Sequence, residues 1–417
     1  MKLKTRIMVL GTLFFMLIIA YNILNHHALS KHDDRNIIPF EKPELDKDET
    51  IKEMIKKYKP DYDYKLKQSP WTLAASWVSD RQIHPEDIPE LGAVLRAMST
   101  RPITLADVGY KGTQLKMSLL LQGQQRVAFK PKWYTRDYVI TDSPVSGTDR
   151  HNGEIAAFHL GRILQFRRTP LVSGRRVNMK TEIQGVGSKT LLNTFYTKDG
   201  NMCFYGKCYY CKGPATGVCA EGEVLEGTVV LWMPSTFKLK LHKHPWSRTY
   251  REGKLASWET DDGYCRKVQM IDYYRDGPIL LDIIDTAIFD YLVGNADRHH
   301  YETFQNTTQT MLLLLDNGKS FGNPFHDERS ILAPLYQCCS VRVKTWQRLL
   351  SLQDGILSSV LRGVLDGDPI APVINDKHLI ALDRRLKSAL YEVDTCISKY
   401  GMKVIVTDDR ILCHDIL

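Results

Sequence analysis

Residues 291 to 304, YLVGNADRHHYETF, set Asp297, Arg298, His299, His300 and Glu302 almost side by side. These residue types suit a metal site, a buried salt-bridge knot or a phosphoryl-transfer loop, and the rest of the chain has to choose. Three other groups fall in a telling order. Lys130 ends the apolar stretch VAFK, Glu154 opens a helical segment, and Asp316 closes the apolar run MLLLLD ahead of Asn317 and Gly318. Lysine, glutamate, loop aspartate and turn aspartate in that order is the serial layout of a protein-kinase-like fold. The interval from Asp297 to Asp316, 316 − 297 = 19 residues, fits a hairpin with a catalytic aspartate on one side and a metal-binding aspartate on the other. Phosphoryl transfer spreads negative charge over the moving group, so it calls for a lysine, a divalent cation and positioning more than for covalent chemistry. In that scheme Lys130 contacts nucleotide phosphates, Asp316 holds a metal, and Asp297 takes the proton of the acceptor hydroxyl, a role that contributes about 10²–10⁴-fold.

Each residue also has an ordinary use. A strand-ending lysine is often a surface charge, and a glutamate in a first helical turn stabilises the helix dipole by about 0.3–1 kcal/mol. Asp297 could pair with Arg298, Asp316-Asn317-Gly318 could be a plain turn, and adjacent histidines seldom both ligate one ion. The order of the set, more than any member, favours the kinase reading.

The elements that would position these groups are legible. Residues 115–121 and 126–129 read as strands joined at Gln122-Gly123. In TDRHNGEIAAFHLGRILQF, Ile155, Phe158, His159 and Ile163 share one face, predicting an amphipathic helix. SPWTLAASWV predicts a helix after Ser69, VVLWMP near Val229 a strand that opens the second half, GPILLDIIDTAIFDYLVG a long helix, and MLLLLD a strand, followed by helices to the C-terminus.

The chain has 417 residues, 43% hydrophobic and 25% charged, with a formal charge of +8, a globular composition that excludes disordered and fibrous classes. A balance this mildly basic is an ordinary solvated surface, and no nucleic-acid partner is expected. Lys2, Lys4 and Arg6 precede an apolar run from Ile7 to Ala20. With no Ala-x-Ala site after it, the run reads as an uncleaved signal anchor that leaves the remainder lumenal. We therefore expect a cytosolic tip and anchor over 1–24, a solvated lumenal stem over 25–68, a first lobe over 69–228 and a second over 229–417. Of nine cysteines, Cys203, Cys208, Cys211 and Cys219 could be drawn as a zinc knuckle, but an oxidising lumen makes disulfides the expected state. The sequon at Asn306 fits the same compartment.

GNADRHHYETF, LLLLDNGKSFG, VAFKPK and RHNGEIAAFHLGRIL, with the cysteine pattern, resemble the secretory-pathway kinases, the family that includes the Golgi casein kinase and the glycosaminoglycan xylosylkinases, from about Ser69 onward. YGKCYYC, HPWSRTYREGKLASWE and RSILAPLYQCC are most similar to the xylosylkinase branch. The resemblance implies an α+β, two-lobed, disulfide-stabilised kinase fold behind the anchor and stem. It implies ATP as donor, Mn²⁺ or Mg²⁺ as metal, and the 2-hydroxyl of xylose in the glycosaminoglycan–protein linker as acceptor, in the Golgi membrane. By the same resemblance Asp297 is catalytic. Gln114 and Lys130 contact phosphates, Val230, Leu231, Trp232 and Met233 form the hinge against adenine, and Glu302 lies at the nucleotide site. Glu154 stands apart from the lysine and holds metal with Asp316. The implied disulfides are Cys203 to Cys219, Cys208 to Cys211, Cys265 to Cys338 and Cys339 to Cys396, with Cys413 unpaired. Trp246, Tyr250 and Arg251 are candidate sugar contacts, since aromatic faces and guanidinium donors suit a sugar. GYKGTQ lacks the three-glycine kinase loop, and HDIL departs from the retrieval signal at Ile416. Three rivals stay open: a secretory Ser/Thr protein kinase, a regulatory pseudokinase, and a glycan-binding protein without catalysis.

Overall fold

The structure is a computed structural model, described here for residues 46–406 apart from 87, 110–111, 252, 306 and 308–309. The anchor, the first part of the stem, Asn306, Cys413 and the HDIL terminus lie outside the described residues.

Five strands make the larger sheet: β1 (Ile103–Val108), β2 (Met117–Leu121), β3 (Gln125–Pro131), β4 (Val172–Asn178) and β5 (Val224–Leu231), in the order β1-β2-β3-β5-β4 and antiparallel throughout. The β2–β3 pair turns at Gln122-Gly123 as the sequence predicts, with Met117 opposite Phe129 and Leu121 opposite Gln125. Val127 and Phe129 point into the core from β3, which by strand alternation leaves Lys130 on the opposite face at the strand's end. One boundary has to move. β5 pairs with β3 at Lys130–Thr228 and with β4 at Gly174–Thr228, so a division at 228/229 would cut a central strand; the hydrophobic run VVLWMP marks the end of that strand rather than the start of a second half.

Beneath the sheet runs a helix, His151–Ile163, which carries Glu154. It is buried on nearly all sides rather than amphipathic. Small residues allow this: a Cβ at Gly153 would come within 3.0 Å of the Ser320 carbonyl. We number the larger helices α1 (Lys47–Tyr58), α2 (Leu91–Thr100), α3 (His151–Ile163), α4 (Ile279–Val293), α5 (Ile356–Leu365) and α6 (Asp376–Tyr400). α1 corrects the reading of 25–68 as solvated stem. Ile51, Met54, Ile55 and Tyr58 form one stripe on a lysine-rich helix; the stripe packs against α5, Tyr58 is buried, and its carbonyl accepts Arg162 Nη1 at 2.7 Å.

α4 is buried along its whole length although it contains Asp282, Asp285 and Asp290. Each acid is paired, as buried charge requires: Asp282 with Arg81 and Arg342, Asp285 with Arg342 and Thr345, Asp290 with Arg298. Gly294 ends the helix at φ 73°, a left-handed conformation that glycine adopts without a Cβ clash. A two-stranded sheet, β6 (Leu239–Lys243) with β7 (His300–Phe304), continues from the loop after α4. MLLLLD is no strand. Leu312, Leu313 and Leu314 are buried and Leu315 half-buried, but its sheet-like contact is a single bridge from Leu313 to Glu302, because Leu314 bonds instead to the Arg168 carbonyl.

Cysteines close four disulfides: 203–219 and 208–211 in and beside a small three-stranded sheet, 265–338 and 339–396 among the helices. The zinc-knuckle alternative is therefore set aside. Among the described residues no helix is long and apolar enough to cross a membrane.

Candidate active site

Lys130 Nζ sits inside a ring of carboxylates, 2.5 Å from Glu154 Oε1, 2.8 Å from Asp316 Oδ1 and 3.1 Å from Asp149 Oδ2. Burial alone would lower the lysine pKa. The charges of Asp149, Asp316 and Glu154 outweigh it and hold the ammonium well above its usual value. Lys130 in turn keeps the Asp316 carboxyl well below the ordinary carboxylate range, against burial. Asp316 lies deep between surrounding groups yet keeps 78% of its side chain open to the cleft, whereas Glu154 is 2% exposed. The turn that presents it has φ 56° at Asp316. It also needs a glycine at 318, where a Cβ would fall 2.5 Å from Asp149 Cγ.

The Glu154 pairing corrects an expectation. This glutamate does not stand apart from the strand lysine, because a carboxylate this deeply buried takes the nearest cation as its countercharge. Three carboxylates touch one ammonium, so the ring carries excess negative charge built of hard oxygen donors, a donor set suited to Mn²⁺ or Mg²⁺. Lys116, half-buried between Gln114 and β2, faces the same cluster. Its pKa is lowered by burial and by Lys130, partly offset by Asp316, Asp149 and Glu154.

On the other side of the cleft, Asp297 does not pair with Arg298. Arg298 forks onto Asp290 at 2.5 and 2.8 Å and donates to the Leu315 carbonyl at 2.6 Å and to Asn317 Oδ1 at 2.8 Å. One guanidinium thus ties the end of α4 to the turn that carries Asp316. Asp297 is left facing the cleft and accepts the Tyr250 hydroxyl at 2.5 Å, while its backbone N–H bonds Asn295 Oδ1 at 3.1 Å. His299 Nδ1 lies 3.0 Å from the Tyr250 hydroxyl and 2.8 Å from the Asp297 carbonyl; hydrogen bonding with Asp297 raises its pKa. Burial and the Asp297 bond push the Tyr250 phenol up.

A pocket beside Asp297 is lined by Trp246, Arg248, Tyr250, Trp258, His299 and Ser330 among others. Trp246 and Trp258 form its wall as buried rings anchored through their indole N–H groups to Gln337 and the Ser247 carbonyl, so of the three proposed sugar contacts only Tyr250 reaches the Asp297 carboxylate. Arg251 lies exposed outside that lining. Gln114 sits in the turn between β1 and β2. Val230 and Leu231 end β5, and Trp232 is exposed with the Arg126 guanidinium over its ring and its N–H on the Arg126 carbonyl, with Met233 following half-buried. Glu302 lies on β7, its carbonyl accepting Leu313 N at 2.9 Å and its charge facing Arg298. Sequence reasoning missed Asp149, Lys116 and the strut role of Arg298. The first was visible as an acid five residues before Glu154, but nothing in its spacing signalled that the chain turns it back onto Lys130.

Residues 69–405 match the family described as Fam20C, Golgi casein kinase, C-terminal, Fam20. The chain is 57% identical over 352 residues to a human glycosaminoglycan xylosylkinase, covering 84% of this chain and 86% of the relative. Among solved structures it superposes on hydra Fam20 with sugar at TM-score 0.80 and 45% identity, covering 83% of this chain and all of that one. It superposes on the Golgi casein kinase with Mn/ADP bound at TM-score 0.79 and 31% identity, covering 87% and 89%. With the kinase residues in one cleft and the match running from the first helix after 69 to the last strand, the chain belongs to the Fam20 family.

Proposed function

We propose that this chain transfers the γ-phosphoryl group of ATP to the 2-hydroxyl of xylose in the linker that joins glycosaminoglycans to proteoglycan cores. The observation that carries the kinase chemistry is the 2.8 Å contact between Lys130 and Asp316, which brings the strand lysine and the turn aspartate into one cleft. The acceptor rests on the 57% identity to a xylosylkinase.

In this reading Glu154 and Asp316 would hold the metal, which would supply positive charge against the phosphate oxygens. Lys130, with Gln114 and Lys116 beside it just before β2, balances phosphate charge. Residues 230–233 flank the adenine, with Glu302 beyond them. Asp297 receives the acceptor proton, and the Tyr250 hydroxyl and His299 fix the direction its carboxylate faces. Trp246 and Trp258 shape the sugar pocket, and Arg248 offers it donors. Retention of Lys130, Glu154, Asp297 and Asp316 supports an active kinase over a pseudokinase. We further propose a Golgi lumenal address for the catalytic part, behind an anchor over 1–24 and with glycosylation at Asn306; four disulfides fit that oxidising compartment.

The test is to offer the purified lumenal protein Gal-Xyl, xylose and an acidic serine peptide in parallel, with ATP and Mn²⁺. Preference for the disaccharide is expected; preference for the peptide would reject the acceptor while leaving the kinase cleft standing.

A further inference from the structure

Asp149 lies outside every role assigned above, yet it is buried, 6% exposed, and touches Lys130 at 3.1 Å. Its chain neighbours clasp the Asp316 turn. Arg150 N donates to the Gly318 carbonyl at 2.7 Å, Arg150 Nε to the Ser320 carbonyl at 2.7 Å, and Arg150 Nη2 to the Lys319 carbonyl. The Asp149 side chain fills the space a Cβ at Gly318 would need. The aspartate is thus held against both the lysine and the metal-side turn.

We propose that Asp149 is a positioning residue, the resident countercharge of Lys130 that frees Glu154 and Asp316 to hold the metal–nucleotide. Lys130 has three N–H donors and, in this structure, three carboxylate partners. Glu154 and Asp316 cannot serve the lysine and a divalent cation with the same oxygens. When they turn to the cation, a buried ammonium left without a carboxylate would draw Glu154 back. Asp149 supplies that carboxylate from a place that the Arg150 bonds fix.

The inference rests on the metal–nucleotide reading, and a double-mutant cycle on Mn²⁺ affinity separates the two. Free Mn²⁺ is measured by electron paramagnetic resonance at saturating ADP for wild type, Asp149→Asn, Lys130→Met and the double variant, with melting temperature as the folding control. Glu154→Gln serves as the control on the ligand set. Asp149→Asn is expected to weaken Mn²⁺ binding about tenfold in the wild-type background and less than twofold when Lys130 is Met. Equal losses in both backgrounds would make Asp149 a metal ligand, and no loss in either would make it a structural lead-in to α3; both overturn the proposal. If Asp149→Asn does not fold, Asp149→Ser removes the charge with less bulk against Gly318 and is put through the same cycle. Wild-type protein that binds no Mn²⁺ with ADP, or Glu154→Gln that binds it unchanged, would instead sink the metal–nucleotide reading.

Discussion

Removing the Arg298 guanidinium, as Arg298→Met, is expected to destabilise the protein and disable the site together. The pair it forms with Asp290 is buried on both sides, 7% and 4% exposed, and bidentate at 2.5 and 2.8 Å. Burial raises the Asp290 pKa even with Arg298 in place, so the lone carboxylate would be left uncompensated. Breaking such a pair from one side costs about 3–5 kcal/mol. The bonds to the Leu315 carbonyl and Asn317 go with it. At about 2 °C per kcal/mol, the low end suited to a large domain, the melting temperature should fall by roughly 6–10 °C. Chemical denaturation with the slope held constant gives the free energy directly. Arg298→Met with Asp290→Leu removes both charges and should recover at least half of the loss, since apolar replacement of a whole buried pair is often neutral. The double variant should nonetheless transfer phosphate slowly, because the Arg298 side-chain bonds between the Asp297 loop and the Asp316 turn are then lost, and misplacement by about 1 Å can cost 10²-fold. A single variant that loses less than about 1 kcal/mol, or a double variant no more stable than the single, would refute the strut.

Asp297→Ala should lower the single-turnover rate by about 10²–10⁴-fold while leaving Mn·ADP affinity within twofold, because the proposed role sets the residue against the acceptor hydroxyl and not the phosphates; retention of more than about a tenth of the rate would remove it as the base. Asp368 is pushed up to about 6 by burial, above its unfolded value of 3.8, so its protonated form is favoured by folding. Its contribution is full below pH 3.8 and is lost as pH rises through 6, by up to about 3 kcal/mol. The stability of wild type minus that of Asp368→Asn should therefore decline between pH 4 and 6 and be flat above, and parallel curves across this range would contradict it. Replacing Cys265 and Cys338 by serine should cost about 2–5 kcal/mol by denaturation, and unchanged stability would deny that bridge a role in holding the helices.

Lys130, Glu154, Asp297 and Asp316 were legible because each sits at an element's end that hydrophobic pattern marks: β3, α3, the Gly294 stop of α4, and the close of MLLLLD. The hairpin at Gln122-Gly123 was readable for the same reason. The failures are tertiary. The stripe of Ile51, Met54, Ile55 and Tyr58 was hidden among lysines, and only the presence of α5 gives it something to bury against. MLLLLD has a strand's composition but lacks a neighbouring edge along its length, so it packs as buried coil. The Lys130–Glu154 pair and the arrival of Asp149 depend on charges meeting across the turn at Gly318, which no local spacing encodes.

The central claim is tested most directly by the product. Wild-type protein, Mn²⁺, ATP and Gal-Xyl should yield a disaccharide whose phosphorus correlates by NMR with the proton on C2 of xylose, and Asp297→Ala under the same conditions should yield none. Phosphate on any other hydroxyl, or an unmodified disaccharide from protein that binds Mn·ADP, would contradict the account.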